Sequence, residues 1–402
     1  MLVWKRNLLV LWIGVFFTSA SFSMVIPFLP IFLPQIGVHD HIEMWSGLLF
    51  SAAFFAGAVA SPFWGKVADR YGRKPMIIRA GIFLFLIYTL TAFVTNPYQL
   101  LVLRISQGLL TGFIPGAIAL IGTNTPNDKV GYALSMISTA SASGGIIGPL
   151  LGGMVSHLVG NRPAFASAGI IIFISTLLII FFVKEESFTP SKDRGSVMDD
   201  LKIAWINKPF MLVLLLTIVT AGSVMTIEPV LPLYIVELGG SADKASLVAG
   251  VVFSLPGIAS ALFAPIWGRW ADKVGFHRVL VIGLLGGGIG TLAQIIFGSI
   301  WGFSIIRFIY GAFFCAVFPA LNGMVVKSTA ADFRGRAFSL NQTANQIGGM
   351  VGPMIGGFIG GIFPVQSVFA TTGILLLGAM GLAYWKANAF NGIMNRKVAA
   401  EK

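Results

Sequence analysis

The stretch SPFWGKVADRYG, residues 61 to 72, returns 203 positions later as APIWGRWADKVG, residues 264 to 275. Each copy closes a charge-free run with a single aspartate, Asp69 or Asp272, set among basic residues. Moving outward from this pair, IPFLP at 26 to 30 is matched by EPVLP at 228 to 232, and GPLLGG at 148 to 153 by GPMIGG at 352 to 357. Arg104 and Gly108 likewise return as Arg307 and Gly311. Arg, Asp and Pro are scarce in this chain, so ordered matches of this kind are not an accident of composition. They divide it into two homologous halves, expected at 1–190 and 205–402. The charged stretch KEESFTPSKDRGSVMDDLKIAWINK (184 to 208) reads as solvated and holds the linker, residues 191–204.

Each half is too apolar for water. Of the 402 residues 56% are hydrophobic and only 10% charged, and charge-free runs recur along the whole length. A helix of about 20 apolar residues crosses the roughly 30 Å hydrocarbon core of a bilayer. The runs predict twelve such spans, at 7–36, 44–65, 75–94, 98–124, 130–157, 164–183, 209–236, 245–267, 279–297, 300–325, 336–360 and 365–385. The first follows Lys5 and Arg6 as a secretory leader would, but it is too long and lacks a small-residue cleavage site, so it is expected as a retained helix. The fold class is therefore an all-α membrane protein of twelve transmembrane helices in two six-helix halves.

Basic residues orient the spans. With both termini on the cytoplasmic side, 23 of the 27 Lys and Arg fall in cytoplasmic segments, five of them between 65 and 79. Arg162 and Lys244 lie outside, and Arg104 and Arg307 within the membrane. This asymmetry is that of a multi-pass protein of the cell (inner) membrane. It also accounts for the net charge of +12 without a nucleic-acid partner, for which a basic face or recognition motif would be needed.

Catalytic and cofactor signals are missing from the sequence. Cys315 stands alone, which excludes an intramolecular disulfide and a cysteine metal cluster. His39, His41, His157 and His277 show no metal spacing, and no G-x-x-x-x-G-K-[ST] loop offers ATP as a direct energy source. No enzyme activity, metal or cofactor is expected. Parallel six-helix repeats meeting around a midplane site are instead a transporter architecture.

Ionisable groups within the membrane are expensive and so mark function. Those assigned to the membrane interior are three: Arg104, with Gln107 three residues on, Arg307, and Glu228 directly before Pro229. Structural bonding to backbone carbonyls is the alternative for the arginines, and helix packing for the glutamate. Asn341, Gln342, Asn345 and Gln346 share one helix face and would either line a water-filled cavity or bond a neighbouring helix. Gly144, Gly148 and Gly152 form a small-residue face, and Pro149 bends their helix.

Taken together, G-x-x-x-D-R-x-G-R-K at 65 to 74, G-x-x-x-G-P-x-x-G-G at 144 to 153, R-x-x-x-G at Arg104 and the Pro27/Pro30 pair resemble the major facilitator superfamily, and within it the twelve-helix drug:proton antiporter branch. The resemblance covers essentially the whole chain. It implies a monomeric secondary transporter whose partners are protons, a small-molecule substrate and the bilayer, exporting lipophilic and cationic drugs by alternating access. It also assigns a gate latch to Gly65, Asp69, Arg70, Gly72 and Arg73, more weakly to Asp272, whose copy lacks the Gly-Arg-Lys ending. Gly144, Gly148, Pro149, Gly152 and Gly153 are implied to seal a junction of the halves. The rival expectations keep the fold and change the role, to an exporter of a sugar or other small metabolite or to a sensor without flux.

Overall fold

A computed structural model describes residues 2–126, 128–185, 197–239, 244–330 and 333–386, and among these the regular structure is entirely helical. In chain order the helices are α1 (Val3–Met24), α2 (Leu29–Phe32), α3 (Ile42–Tyr71), α4 (Arg73–Thr91), α5 (Pro97–Leu110), α6 (Phe113–Asn124), α7 (Val130–Val159), α8 (Asn161–Phe182) and α9 (Val197–Ile206). They continue as α10 (Lys208–Ile227), α11 (Leu231–Glu237), α12 (Ala245–Val274), α13 (Phe276–Ala293), α14 (Ile300–Phe314), α15 (Val317–Ser328), α16 (Arg334–Ile362) and α17 (Gln366–Trp385). Eleven stretches among the described residues are long and apolar enough to cross a membrane. The remaining expected span, α16, has the length, at 29 residues, but its glycines and the four amides from Asn341 to Gln346 make it less apolar.

Four of the expected spans are broken, the opening of the seventh being expected from Pro229, and the breaks repeat between the halves. The first gives way between α1 and α2 around Pro27, and the seventh between α10 and α11 around Pro229. Each proline withholds the N–H that would continue the ladder. The fourth breaks at Thr111–Gly112 and the tenth at Cys315–Ala316. Nor is the stretch from 184 to 208 solvated throughout: α9 lies within it, burying Ala204 and pairing Asp200 with Arg336 at 3.0 Å. Residues 191–196 of the expected linker lie outside the described residues.

Two compact units form, one from Met1–Asp193 with Leu231–Ser254, the other from Arg194–Val230 with Leu255–Lys402. In the first, α1 packs on α7 and α8, and α4 on α8. In the second, α10 packs on α16 and α17, and α13 on α17, the same three pairings carried through the repeat.

Small residues make these pairings close. A Cβ on Gly144, Gly148 or Gly152 of α7 would collide with the α1 backbone, and at Gly152 it would fall on the Met24 carbonyl oxygen. Gly348, Gly352 and Gly356 of α16 meet the α10 backbone in the same way. The face read as a junction seal is thus first a packing face inside its own unit. Gly153 looks elsewhere, onto Ser246 and Gly250 at the start of α12, a segment that belongs to the first compact unit. Overpacking of even a well-tolerated core costs about 1–3 kcal/mol, and here the obstacle is backbone. Gly152→Leu is therefore expected to cut the yield of monodisperse, detergent-extracted protein several-fold. Gly145→Leu, where a Cβ meets nothing within 4 Å, should extract like the parent in the same size-exclusion assay.

Candidate functional site

The buried arginines anchor one polar cluster in each unit. In the first, Arg104 on α5 is 7% exposed and donates from Nη1 to Gln107 Oε1 at 2.8 Å. Gln107 in turn donates from Nε2 to the hydroxyl of Tyr88 on α4 at 3.1 Å. In the second, Arg307 on α14, also 7% exposed, donates from Nη1 to Oε1 of Gln294 at 3.2 Å, and Tyr310 lies one turn along the same helix. The repeat has kept arginine, amide and tyrosine but exchanged the places of the last two. The amide follows the arginine by three residues in the first unit, and the tyrosine does so in the second. Neither arginine satisfies itself on backbone carbonyls through these bonds.

Glu228 sits at the C-terminal cap of α10, where Pro229 ends the helix, and it is partly exposed. It is close enough to Arg307 for the two charges to interact. The equivalent position in the first unit is Ile26, so among the described residues only the second cluster brings an acid to its arginine.

The segment expected as a gate loop is almost all helix. Residues 65 to 71 form the last turns of α3, and the connection to α4 is Gly72 alone, at φ +97, a conformation that favours glycine. Gly275, at φ +95, joins α12 to α13 in the same manner. Asp69 lies near the C-terminal end of its own helix, not at an N-terminus, and its side chain falls outside the described residues. Asp272 is exposed on the last turn of α12, and Arg70 is exposed with its guanidinium 5.4 Å from the Tyr71 ring centre. Gly65 is an interior residue of α3.

Glu185, in the stretch read as linker, is the acid that does meet this connection. Its two carboxylate oxygens accept from the backbone N–H groups of Arg73 and Lys74, each at 2.9 Å, and so cap α4. Arg73 also donates from Nη1 to Thr123 Oγ1 at 3.0 Å, and Lys74 from Nζ to the Ile180 carbonyl at 3.0 Å. The fully buried Asn7 exchanges two hydrogen bonds with the backbone of Lys184, at 2.6 and 3.0 Å. In the second unit His277 Nε2 meets the Ala383 carbonyl at 2.8 Å, the repeat of the Lys74 bond.

Arg79 escaped the inventory of membrane charges. Counted with the cytoplasmic set, it stands instead two turns into α4, its guanidinium 3.3 Å from the centre of the Trp64 ring. Its Nη2 donates to the Thr111 carbonyl at 3.0 Å, one of the acceptors freed where α5 ends. Its position inside the span expected at 75–94 was the available signal. Of the amide stripe on α16, Asn341 is committed to helix packing: it accepts from Thr217 Oγ1 at 2.8 Å and donates to Asn322 Oδ1 at 3.2 Å. Gln342 is exposed, and Asn345 and Gln346 are partly so.

The profile of the Major Facilitator Superfamily matches residues 11–251 and 213–392. The chain is 36% identical over 403 residues to multidrug resistance protein MdtG of Salmonella arizonae, covering 99% of this chain and 98% of the relative. It is 37% identical, with the same coverages, to the protein of that name from Salmonella schwarzengrund. In fold it is similar to a bacterial homologue of the human lysosomal transporter Spinster in an inward-facing, occupied conformation, with a TM-score of 0.81 at 14% identity over 98% of both chains. The nucleoside transporter NupG gives a TM-score of 0.76 at 15% identity, covering 96% of this chain and 99% of that one.

Proposed function

The chain belongs to the Major Facilitator Superfamily and is a multi-pass membrane transporter of small molecules, and from that premise we propose that it exports lipophilic drugs, cations among them, in exchange for protons. Alternating access would come from rocking the halves 1–190 and 205–402 about a midplane site, with both termini cytoplasmic and the monomer as the working unit. Full-length similarity to multidrug resistance proteins supports the cargo. The coupling part is carried by one observation, a glutamate at the break of a membrane helix within electrostatic reach of a buried arginine. A broken helix lends backbone groups to a substrate or ion site, and an acid there can hold a proton on one side and release it on the other. Ethidium efflux from cells expressing the protein, with and without a proton uncoupler, tests the proposal. Efflux that the uncoupler leaves unchanged removes the coupling, and no efflux of any lipophilic dye removes the drug cargo.

The segment from Gly65 to Arg73 is proposed as the gate. Asp69→Asn keeps every basic residue that orients the spans, so the variant should reach the membrane at the parental level. It should also transport several-fold more slowly, because one gate conformation loses a charged contact. Dye efflux normalised to membrane-inserted protein makes the comparison, and parental turnover would exclude Asp69 from the gate.

A further inference from the structure

The short helix α9 ends where a membrane span begins. Asn207 forms the joint: its Oδ1 accepts from the backbone N–H of Phe210, which caps α10, and its Nδ2 donates to the Ser328 carbonyl at 2.8 Å. Toward the other end of α9, Asp200 pairs with Arg336 at 3.0 Å. Ser328 closes α15 and Arg336 stands in the first turn of α16, so two side-chain contacts hold α9 at the membrane boundary of its own unit.

The outer side of the helix is bare and apolar. Ala204 is buried, but Leu201 is 46% exposed, Trp205 75% and Ile206 81%. A helix lying in water turns polar side chains outward, and these three do the opposite. Leu201 and Trp205 are one turn apart and share a face. Lys202 and Lys208 are exposed beside them, and a lysine can keep its stem in apolar surroundings while its ammonium stays among polar groups.

Trp205 also has company at this level. Six spans run from α10 to α17, so the chain ends α17 on the membrane face where α10 starts. Tyr384 and Trp385 are exposed there, and α17 packs on α10. Tryptophan and tyrosine gather at the membrane–water interface, where an apolar ring and its polar tip are both satisfied.

We infer that α9 lies in the head-group layer of the bilayer, with Leu201 and Trp205 sunk among the upper acyl carbons and Lys202 and Lys208 at the phosphates, and that it moors the second unit to that leaflet. Lipid is the occupant of this face because α9 runs into α10 at the point of membrane entry and joins its aromatic belt. Its mix of tryptophan, aliphatic and lysine side chains is that of an interfacial helix. The inference goes beyond the transport reading and holds for any cargo.

The test places a single cysteine at Trp205, at Leu201 or, as a solvent reference, at the exposed Asp128, in the full chain carrying Cys315→Ser. Each protein is labelled with bimane and reconstituted in nanodiscs of phosphatidylcholine and phosphatidylglycerol, with or without bromine on the acyl chains near the head group. Bromolipid should quench the labels of Trp205→Cys and Leu201→Cys about threefold or more relative to that of Asp128→Cys, and aqueous iodide should reverse the order. Ile206→Cys takes the place of either α9 variant that does not fold. Iodide quenching on α9 equal to that at Asp128 would put the helix in water and overturn the inference. Protection from both quenchers would overturn it too, since the face would then be covered by protein, this chain's own or a second copy's, and so would a lipid signal at only one of the two α9 positions.

Discussion

Arg104→Ala is expected to reduce transport per inserted molecule by about tenfold or more, a loss of roughly 1.4 kcal/mol or more in the rate-limiting step, while the amount of protein in the membrane falls little. The expectation comes from what the arginine does and does not hold. It donates to Gln107, three residues along the same helix, and beyond that it meets the side chain of Tyr88 on α4, a tie between side chains and not to backbone. A structural arginine in a membrane helix is normally tied to backbone carbonyls of a neighbour, as Arg79 is to Thr111. Arg104 lacks that tie in its buried Nε and Nη2, so removing it deletes a charge facing a cavity more than it unpins two helices. Quantitative immunoblots of the membrane fraction, set against initial efflux rates, separate the two roles. Loss of protein with unchanged flux per molecule would make Arg104 a packing residue.

How far these roles were legible in the sequence depended on how locally each was encoded. The halves, the spans and the three central ionisable residues were readable because repeat and hydropathy are properties of neighbouring residues. So was the opening of the seventh span at Pro229, since proline removes an N–H wherever it stands. The closeness of α1 to α7 was legible as a glycine spacing, but its partner was not: nothing near Gly152 names Met24. The cap on α4 was out of reach for the same reason. Glu185 stands 112 residues from Arg73 and looks, in its own surroundings, like one more charge of a solvated linker. Arg79 shows the opposite failure, a local signal overruled by a topological count. The exchange of amide and tyrosine between Gln107/Tyr88 and Gln294/Tyr310 was only half legible in the repeat: Gln107 and Tyr310 align, each three residues after its arginine, but Tyr88 and Gln294 do not.

Glu228→Gln is expected to abolish uphill, proton-driven efflux while leaving downhill exchange within about threefold of the parent, since glutamine keeps the shape and polarity of the side chain but cannot carry a proton. The position is what makes the loss large. Glu228 caps α10 where Pro229 breaks the span, and the other half offers Ile26 there, so no second carboxyl stands at the equivalent point to take over. Arg307 keeps its bond to Gln294 in the variant, and the buried cluster around it should hold together. The substitution should also weaken export of cationic substrates more than neutral ones, because the lost group is an acid at the break of a membrane span. Proteoliposomes with an imposed pH gradient, loaded with a cationic and a neutral dye, measure both effects, and counterflow at equal pH measures the exchange that should survive. A Gln variant that accumulates the cationic dye against its gradient at the parental rate would show that the coupling proton travels elsewhere. Counterflow lost together with uphill transport would mean that Glu228 shapes the helix break rather than carrying a proton across it.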